Sequence, residues 1–143
     1  MSRSFGLLKP DCLRRGLEAE VLALIESAGL HIVQSKQVRL TRADVDVIWA
    51  TCRGTYFYED MVAFSLSGDC IIFIVEGEDA VNRLSQLVGH FDPLIAVPGT
   101  IRHRFGISRM ENVIHSSLDE RAFRAEVNLF VSNPQEERFT VIL

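Results

Sequence analysis

The sequence Cys-Ile-Ile-Phe-Ile-Val at residues 70–75 is apolar at every position. A strand with one face in water alternates apolar and polar residues, so this unbroken run predicts a strand that is covered on both faces. Upstream, the short apolar stretch Ser4–Leu8 ends at Lys9-Pro10-Asp11. Because proline cannot donate a hydrogen bond within a central ladder, that stretch predicts a strand that ends in a loop.

Two more strands and several helices follow from the remaining patterns. His31–Leu40 mixes apolar and polar residues, which predicts a half-exposed strand, and Val113-Ile114 predicts a short one. Apolar residues at helical spacing and capping signals predict the helices. They are Arg14–Ala28 with Gly29 as its stop, a helix capped by Thr41 or Asp44 and running toward Thr51, one ending at Ala63–Leu66, Ala80–Val88, and one opened by a capping box of Ser117 and Glu120.

This order of elements predicts an α+β fold of the ferredoxin-like split β-α-β type. In that arrangement an antiparallel sheet is covered on one face by helices. We expect one domain at residues 1–133 and a C-terminal tail at residues 134–143, where Phe139–Leu143 is a candidate terminal strand.

The composition restricts the class of protein. The chain has 143 residues, 48% of them apolar and 24% charged, with a net charge of −4, which fits a folded soluble domain. This charge balance predicts no basic surface that would attract nucleic acid or an anionic membrane. No apolar run approaches the roughly 18 residues that span a bilayer. The three cysteines lack Cys-x-x-Cys spacing, and the N-terminus lacks a signal-peptide stretch. We therefore expect a cytoplasmic protein with no disulfide framework, no zinc site, and no nucleic-acid or membrane partner.

The motifs that are missing narrow the search for a functional site. The sequence has no GxxxxGK[ST] motif and no GxGxxG after a strand, so neither familiar backbone cradle for phosphates is present. A phosphate would have to be held by side chains instead. The candidates lie at Lys9-Pro10-Asp11 and in the long loop 90–111, which contains Arg102 and leads to Asn112 and His115.

His115 lies at the end of a predicted strand, just before the helix predicted at Ser117. A ring in that place is held rigidly and points toward a helix N-terminus, which favours anions. From the residues alone, a structural histidine and a nucleophile both remain open. The spacing of the four histidines does not support a metal site.

Several blocks of the sequence together resemble the nucleoside diphosphate kinase family. They are Phe5-Gly6-Leu7-Leu8-Lys9-Pro10-Asp11, Arg15-Gly16, Gly68, Glu76-Gly77, Pro98-Gly99-Thr100-Ile101-Arg102 and Asn112-Val113-Ile114-His115. The blocks occur in the family's order and spacing and extend over Ser4 to Val131. Of the two interpretations of His115, the resemblance favours a nucleophile over a structural histidine.

The resemblance implies an enzyme that transfers the terminal phosphoryl group of a nucleoside triphosphate such as ATP to a nucleoside diphosphate. Transfer would proceed in two steps through a phosphohistidine at His115. Matching the family's motifs residue by residue implies the other roles. Those are Lys9 and Arg102 as phosphate-side cations, Glu126 as the carboxylate that orients the ring, Asn112 as a ligand of the sugar hydroxyl, Ser117 as a support of the catalytic region and Phe57 as the aromatic that stacks on the base.

The resemblance also implies what the site binds and how the chain assembles. Mg²⁺ would arrive bridging the nucleotide phosphates, without a metal cage made by the protein. The expected assembly is a homo-oligomer, a tetramer or a hexamer. The loop residues Leu94-Ile95-Ala96-Val97 are unusually apolar, which favours contact with a neighbouring subunit. Packing of this loop within its own chain is the alternative.

The sequence departs from the family pattern at several positions near the site. Ser85 stands where the family has a second phosphate-binding Arg, and Phe91 where it has a phosphate-binding Thr. Trp49 replaces a Tyr, and Arg109 replaces a small apolar residue opposite the stacking Phe, where it could itself stack on a base. Arg83 and Arg104 are candidates to replace the missing cation. The departures define an alternative function, a nucleotide-binding or regulatory member of the family with weak or no transfer.

Overall fold

The computed structural model describes residues 1–132, which form one α+β unit. The strands are β1 (Ser2–Leu8), β2 (His31–Val38), β3 (Cys70–Gly77) and β4 (Ile114–Ser116). The helices are α1 (Pro10–Arg14), α2 (Glu18–Ser27), α3 (Arg42–Ile48), α4 (Tyr58–Ser65), α5 (Ala80–Val88), α6 (Ile101–Phe105), α7 (Glu120–Glu126) and α8 (Leu129–Ser132), with a 3-10 turn at Ala50–Cys52. The predicted tail, 134–143, and its candidate strand lie outside the described residues.

The four strands form an antiparallel sheet in the order β2-β3-β1-β4. Strand β3 pairs with both β1 and β2, and it is buried at almost every position, as its unbroken apolar run predicts. Strand β1 pairs with β4, where Leu7 lies opposite His115. The α+β fold and the antiparallel sheet are therefore confirmed.

Helices cover both faces of the sheet, so the prediction of one covered face is wrong. On one face, α2 and α5 bury apolar residues against Leu8, Phe73 and Val75. On the other face, α3, α4 and α7 pack over Phe5 and Leu7. Burial of each large apolar side chain stabilises the folded state by about 1.5–3 kcal/mol. Since β1 carries buried side chains on alternate faces, both layers of helices are needed to cover it.

The N-terminal helix differs from the prediction because glycine interrupts it. The sequence pattern predicts one helix over Arg14–Ala28, whereas the structure has α1 and α2 with Gly16 between them. Gly16 has φ +67°, a left-handed conformation that ends α1. The break leaves α1 as a short element directly after β1, which places its first turn beside β4.

The approach to β4 also differs from the prediction. Val113 is not part of the strand, because its φ of +66° takes it out of extended geometry. The predicted capping box of Ser117 and Glu120 is wrong: α7 begins after Asp119, whose side chain accepts a hydrogen bond from the Ala122 N–H. The hydroxyl of Ser117 is thereby free to bond elsewhere. In the long loop, Thr100 caps α6.

Within residues 1–132, no helix has the length and apolar character needed to cross a membrane.

Candidate active site

His115 lies on β4, on the same face as its strand partner Leu7. Its side chain is 13% exposed. The ring packs edge-on against Trp49 at the end of α3, with 5.4 Å between the ring centroids. Strand pairing on one side and an aromatic ring on the other hold the imidazole in one orientation.

The two nitrogens of the His115 ring have different surroundings. Nε2 lies 2.8 Å from Oε1 of Glu126, at the end of α7, and the Ser117 hydroxyl donates to the same oxygen at 3.1 Å. Because an ionised carboxylate only accepts hydrogen bonds, this contact assigns the ring hydrogen to Nε2. Nδ1 then carries the lone pair, and no residue among 1–132 forms a hydrogen bond with it. The arrangement orients the ring and leaves Nδ1 open, as a nucleophilic imidazole requires.

Lys9 enters the same region from the end of β1. Its ammonium donates to the Met110 carbonyl at 2.7 Å and to Oδ1 of Asn112 at 2.9 Å. It lies 5.9 Å from the centroid of the Trp49 ring, the ring that also contacts His115. Burial lowers the pKa of Lys9 to about 8; the negative charge of Asp11 opposes this shift and Arg102 adds to it.

Arg102 on α6 reaches the backbone next to His115. Its guanidinium donates to the Gly89 carbonyl at 3.1 Å and to the Ile114 carbonyl at 2.6 Å. Its Nε is buried and has no hydrogen-bond partner within the described residues. Burial lowers the pKa of Arg102 to about 10. A buried N–H donor without a partner is costly, and an anionic oxygen would satisfy it.

Asn112 ties these parts together. Its amide nitrogen donates to the carbonyls of Phe91 and Arg109, both at 2.9 Å, and its Oδ1 accepts from Lys9. The side chain is buried. One lone pair of Oδ1 remains available beside Lys9. The structure thus brings four predicted residues, Lys9, Arg102, Asn112 and His115, into one region together with Glu126.

The two predicted base-binding residues are not brought together. Phe57 is half-buried at the start of α4, where its ring meets Tyr56 edge-on at 5.5 Å. Arg109 is exposed; it pairs with Asp92 at 3.2 Å and lies 5.6 Å from the Phe91 ring. No contact joins Phe57 to Arg109 in the part of the chain that the structure describes.

Comparison with known proteins gives one consistent answer. The family model described as nucleoside diphosphate kinase matches residues 2–135. A nucleoside diphosphate kinase from Saccharolobus islandicus is 36% identical over 130 residues, which is 91% of this chain and 94% of the relative. The chain belongs to the nucleoside diphosphate kinase family. It is accordingly a nucleotide-binding enzyme of the phosphotransferase class.

Solved structures of the family have the same fold. The apo nucleoside diphosphate kinase from Encephalitozoon cuniculi superposes with a TM-score of 0.88 at 29% identity, covering 97% of this chain and 95% of its own. The enzyme from Halobacterium salinarum, solved in complex with CDP, gives a TM-score of 0.85 at 32% identity, covering 96% of this chain and 93% of its own.

The two arginines that were candidates to replace the missing cation of the nucleoside diphosphate kinase pattern have other contacts. Arg83 donates to the carbonyls of Ala28 and Glu78, and Arg104 lies over the ring of Phe105. Neither is seen to contact the site residues within the described part of the chain, so the structure lends no support to either candidate as a replacement for the missing cation. Ser85 is half-buried on α5. Phe91 is exposed and stacks on His90, with 4.4 Å between the ring centroids.

No group of three or more His, Cys, Asp or Glu side chains within residues 1–132 is arranged to hold a metal ion. Divalent magnesium prefers oxygen ligands and usually binds through one or two carboxylates plus phosphates. The two cations near His115, Lys9 and Arg102, suit phosphate oxygens rather than a metal ion.

Sequence reasoning assigned no role to Asp11, although the structure places it among the site cations. Its carboxylate accepts the Val113 N–H, and its charge acts on both Lys9 and Arg102. The one signal in the sequence is its place in Lys9-Pro10-Asp11. The contact depends on the left-handed backbone of Val113. The sequence does not predict that conformation, because β-branched residues rarely adopt it.

Proposed function

We propose that the protein transfers the terminal phosphoryl group of ATP to nucleoside diphosphates through a phosphohistidine on Nδ1 of His115. The observation that carries the proposal is the 2.8 Å contact of Nε2 with Glu126, which leaves the Nδ1 lone pair unengaged among the described residues. Lys9 and Arg102 lie close by and supply positive charge for phosphates.

In both half-reactions, the bond that forms or breaks at the protein is the one between Nδ1 and phosphorus. In the first, the Nδ1 lone pair forms a bond to the γ-phosphorus, and the bond from phosphorus to the bridging oxygen breaks. The electron pair leaves with the nucleoside diphosphate. In the second, a terminal oxygen of another nucleoside diphosphate attacks the same phosphorus, and the P–N bond breaks to return the neutral ring.

The surrounding side chains serve positioning and charge neutralisation, which are the main demands of phosphoryl transfer. Glu126 holds the ring and stabilises the positive charge that it acquires on phosphorylation. In this proposal the Nε of Arg102, which has no partner among the described residues, and the ammonium of Lys9 bind phosphate oxygens. Asn112 contacts the sugar hydroxyl through the remaining lone pair of Oδ1.

Phe57 provides the platform on which the base stacks, and Arg109 is a second stacking candidate. Stacking on a flat ring does not discriminate between bases, so broad base tolerance follows. The relative from Halobacterium salinarum was solved with CDP, which supports a nucleoside diphosphate as ligand here. Mg²⁺ accompanies the phosphates and supplies charge neutralisation when bound.

The enzyme is proposed to work as a homo-oligomer in the cytoplasm. In the loop Leu94–Val97, Leu94, Ile95 and Val97 are exposed, whereas Ala96 is buried. Packing within the chain therefore accounts only for Ala96. An apolar patch of this kind on the surface favours contact with another subunit.

Intact mass spectrometry after incubation with ATP and Mg²⁺ tests the mechanism. We expect an acid-labile, alkali-stable phosphoryl adduct that disappears on addition of a nucleoside diphosphate. His115→Ala is expected to abolish the adduct, and His31→Ala, an exposed histidine on β2, is expected to keep it. Nucleotide binding without an adduct in the wild-type protein would instead support a regulatory member with altered phosphate contacts at Ser85 and Phe91.

A further inference from the structure

Asp11 lies in the first turn of α1 and is almost completely buried. Its Oδ2 accepts the Val113 N–H at 3.1 Å, and the Lys9 N–H donates to the Val113 carbonyl at 2.9 Å. Two hydrogen bonds therefore join the segment that carries Lys9 to the residue two positions before His115. They cross from the end of β1 to the entry of β4.

Val113 needs this support because its backbone is strained. A β-branched residue rarely adopts φ +66°, and such conformations persist only where the surroundings enforce them. The left-handed turn directs its N–H away from the ladder and toward Asp11, since strand pairing with β1 begins at Ile114. The carboxylate thus fixes the turn through which the chain reaches His115.

Asp11 is also the negative charge placed among the phosphate-binding cations. It forms no ion pair within the described residues: the ammonium of Lys9 donates to Met110 and Asn112, and the two terminal nitrogens of Arg102 donate to Gly89 and Ile114. Its charge nevertheless raises the pKa of both cations against the effect of burial. The second oxygen, Oδ1, is buried without a partner among residues 1–132.

We propose that Asp11 is a positioning residue for phosphoryl transfer: its buried carboxylate holds the Val113 turn and His115 in register with Lys9, and it supplies the negative charge beside the phosphate-binding cations. This inference rests on the proposed function of His115. It separates two effects, a hydrogen bond and a charge, that different substitutions remove.

Asp11→Asn removes the charge and keeps an oxygen that can accept from Val113. Lys9 and Lys36 are the only lysines in the chain, so lysine-selective NMR reads each side chain directly. We expect the pKa of Lys9 to fall by about one unit or more, the size of a partly buried charge interaction. Asp44→Asn is the matched control, since Asp44 is a buried carboxylate that also accepts a backbone N–H, on α3.

The interpretation of this titration depends on every group that faces Lys9. The ionisable ones are Asp11 on α1, Arg102 on α6 and Cys70 on β3. Burial raises the pKa of Cys70 to about 12, so its thiol is neutral across the working range. The remaining contacts, Met110 O, Asn112, Trp49 and Phe64, carry no charge. A shift in Asp11→Asn is therefore attributable to the lost carboxylate.

The pH dependence of kcat/KM provides the functional arm. In Asp11→Asn the fall on the alkaline side is expected to move down by about one pH unit, in step with the Lys9 titration. Asp11→Ala, which removes the acceptor as well, is expected to slow phosphorylation of His115 a further tenfold or so, as for a lost hydrogen bond.

An unchanged Lys9 titration and pH profile in Asp11→Asn would overturn the proposal while leaving the His115 mechanism intact. Absence of a phosphohistidine in the wild-type protein would instead contradict the proposed function, and the lysine titration would still report whether Asp11 controls Lys9. If Asp11→Ala does not fold, the Asn variant alone decides the charge role.

Discussion

Two histidine–glutamate pairs occur among residues 1–132, and they differ in burial and in their neighbours. His115 contacts Glu126 through Nε2 at 2.8 Å, with side chains that are 13% and 4% exposed. His31 contacts Glu26 through Nδ1 at 3.2 Å, with side chains that are 66% and 25% exposed. A solvent-exposed ion pair contributes little to the stability of the fold and does not fix the orientation of the imidazole ring. The residue types alone therefore do not define a site; burial and neighbours do.

The neighbours differ as much as the burial. The second carboxylate oxygen of Glu26 accepts a hydrogen bond from the Ile32 N–H, which links the end of α2 to the start of β2. Glu126 receives the Ser117 hydroxyl and lies in a region with two cations and an aromatic ring. The first pair closes a local connection between elements. The second joins α7 to β4, the edge strand of the sheet.

Removing a cation from the buried pair's surroundings is expected to have the largest effect. Arg102→Ala should lower kcat/KM by about 10²–10³-fold, because a preorganised donor to the transferred group is lost. Arg104→Ala, on the same helix but exposed, should change it less than twofold. Steady-state transfer from ATP to a nucleoside diphosphate measures both, and circular dichroism checks that α6 is kept. Equal effects of the two substitutions would remove Arg102 from the site.

Neutralising the carboxylate of each pair is expected to separate them next. Glu126→Gln should slow phosphorylation of His115 about 10- to 100-fold, since the ring loses a charge-assisted hydrogen bond. Glu26→Gln should leave the rate unchanged within experimental error. Rapid-quench measurement of the phosphoenzyme provides the comparison. A silent Glu126→Gln would show that the ring is oriented by β4 and Trp49 alone.

The third prediction uses pH. Lys9 is protonated below its pKa of about 8, and the proposed mechanism uses that form to bind phosphate, so kcat/KM should fall as pH rises through 8. The loss should approach about tenfold per pH unit well above that point. Lys9→Arg, which stays charged, should flatten the profile even if its maximum is lower. A wild-type profile that stays level to pH 10 would contradict the dependence on Lys9.

Much of this arrangement could be predicted from local patterns. The apolar run in β3 reports burial directly, and Lys9, Arg102, Asn112 and His115 belong to motifs that can be matched along the chain. What local patterns do not report is where distant segments meet. Ser117 has the spacing of a helix cap, yet its hydroxyl bonds to Glu126 because Asp119 takes the cap.

The role proposed for Asp11 could not be predicted from local sequence patterns for the same reason. It depends on Val113 adopting φ +66°, a conformation for which the residue type gives no warning. The coverage of both sheet faces likewise depends on where α3, α4 and α7 pack. These features arise from tertiary contacts that override local preference.

Ser117 gives the smallest predicted effect and the finest test of the comparison. Its hydroxyl donates to the same oxygen of Glu126 that holds His115, so Ser117→Ala removes one of two bonds that fix the carboxylate. The expected loss in phosphorylation rate is about three- to tenfold, the contribution of a neutral donor to a buried charge. Ser27→Ala, which removes a hydroxyl near the exposed pair, should have no effect. If Ser117→Ala matches Glu126→Gln in size, the hydroxyl and the carboxylate act as one unit; if it matches Ser27→Ala, the carboxylate alone holds the ring.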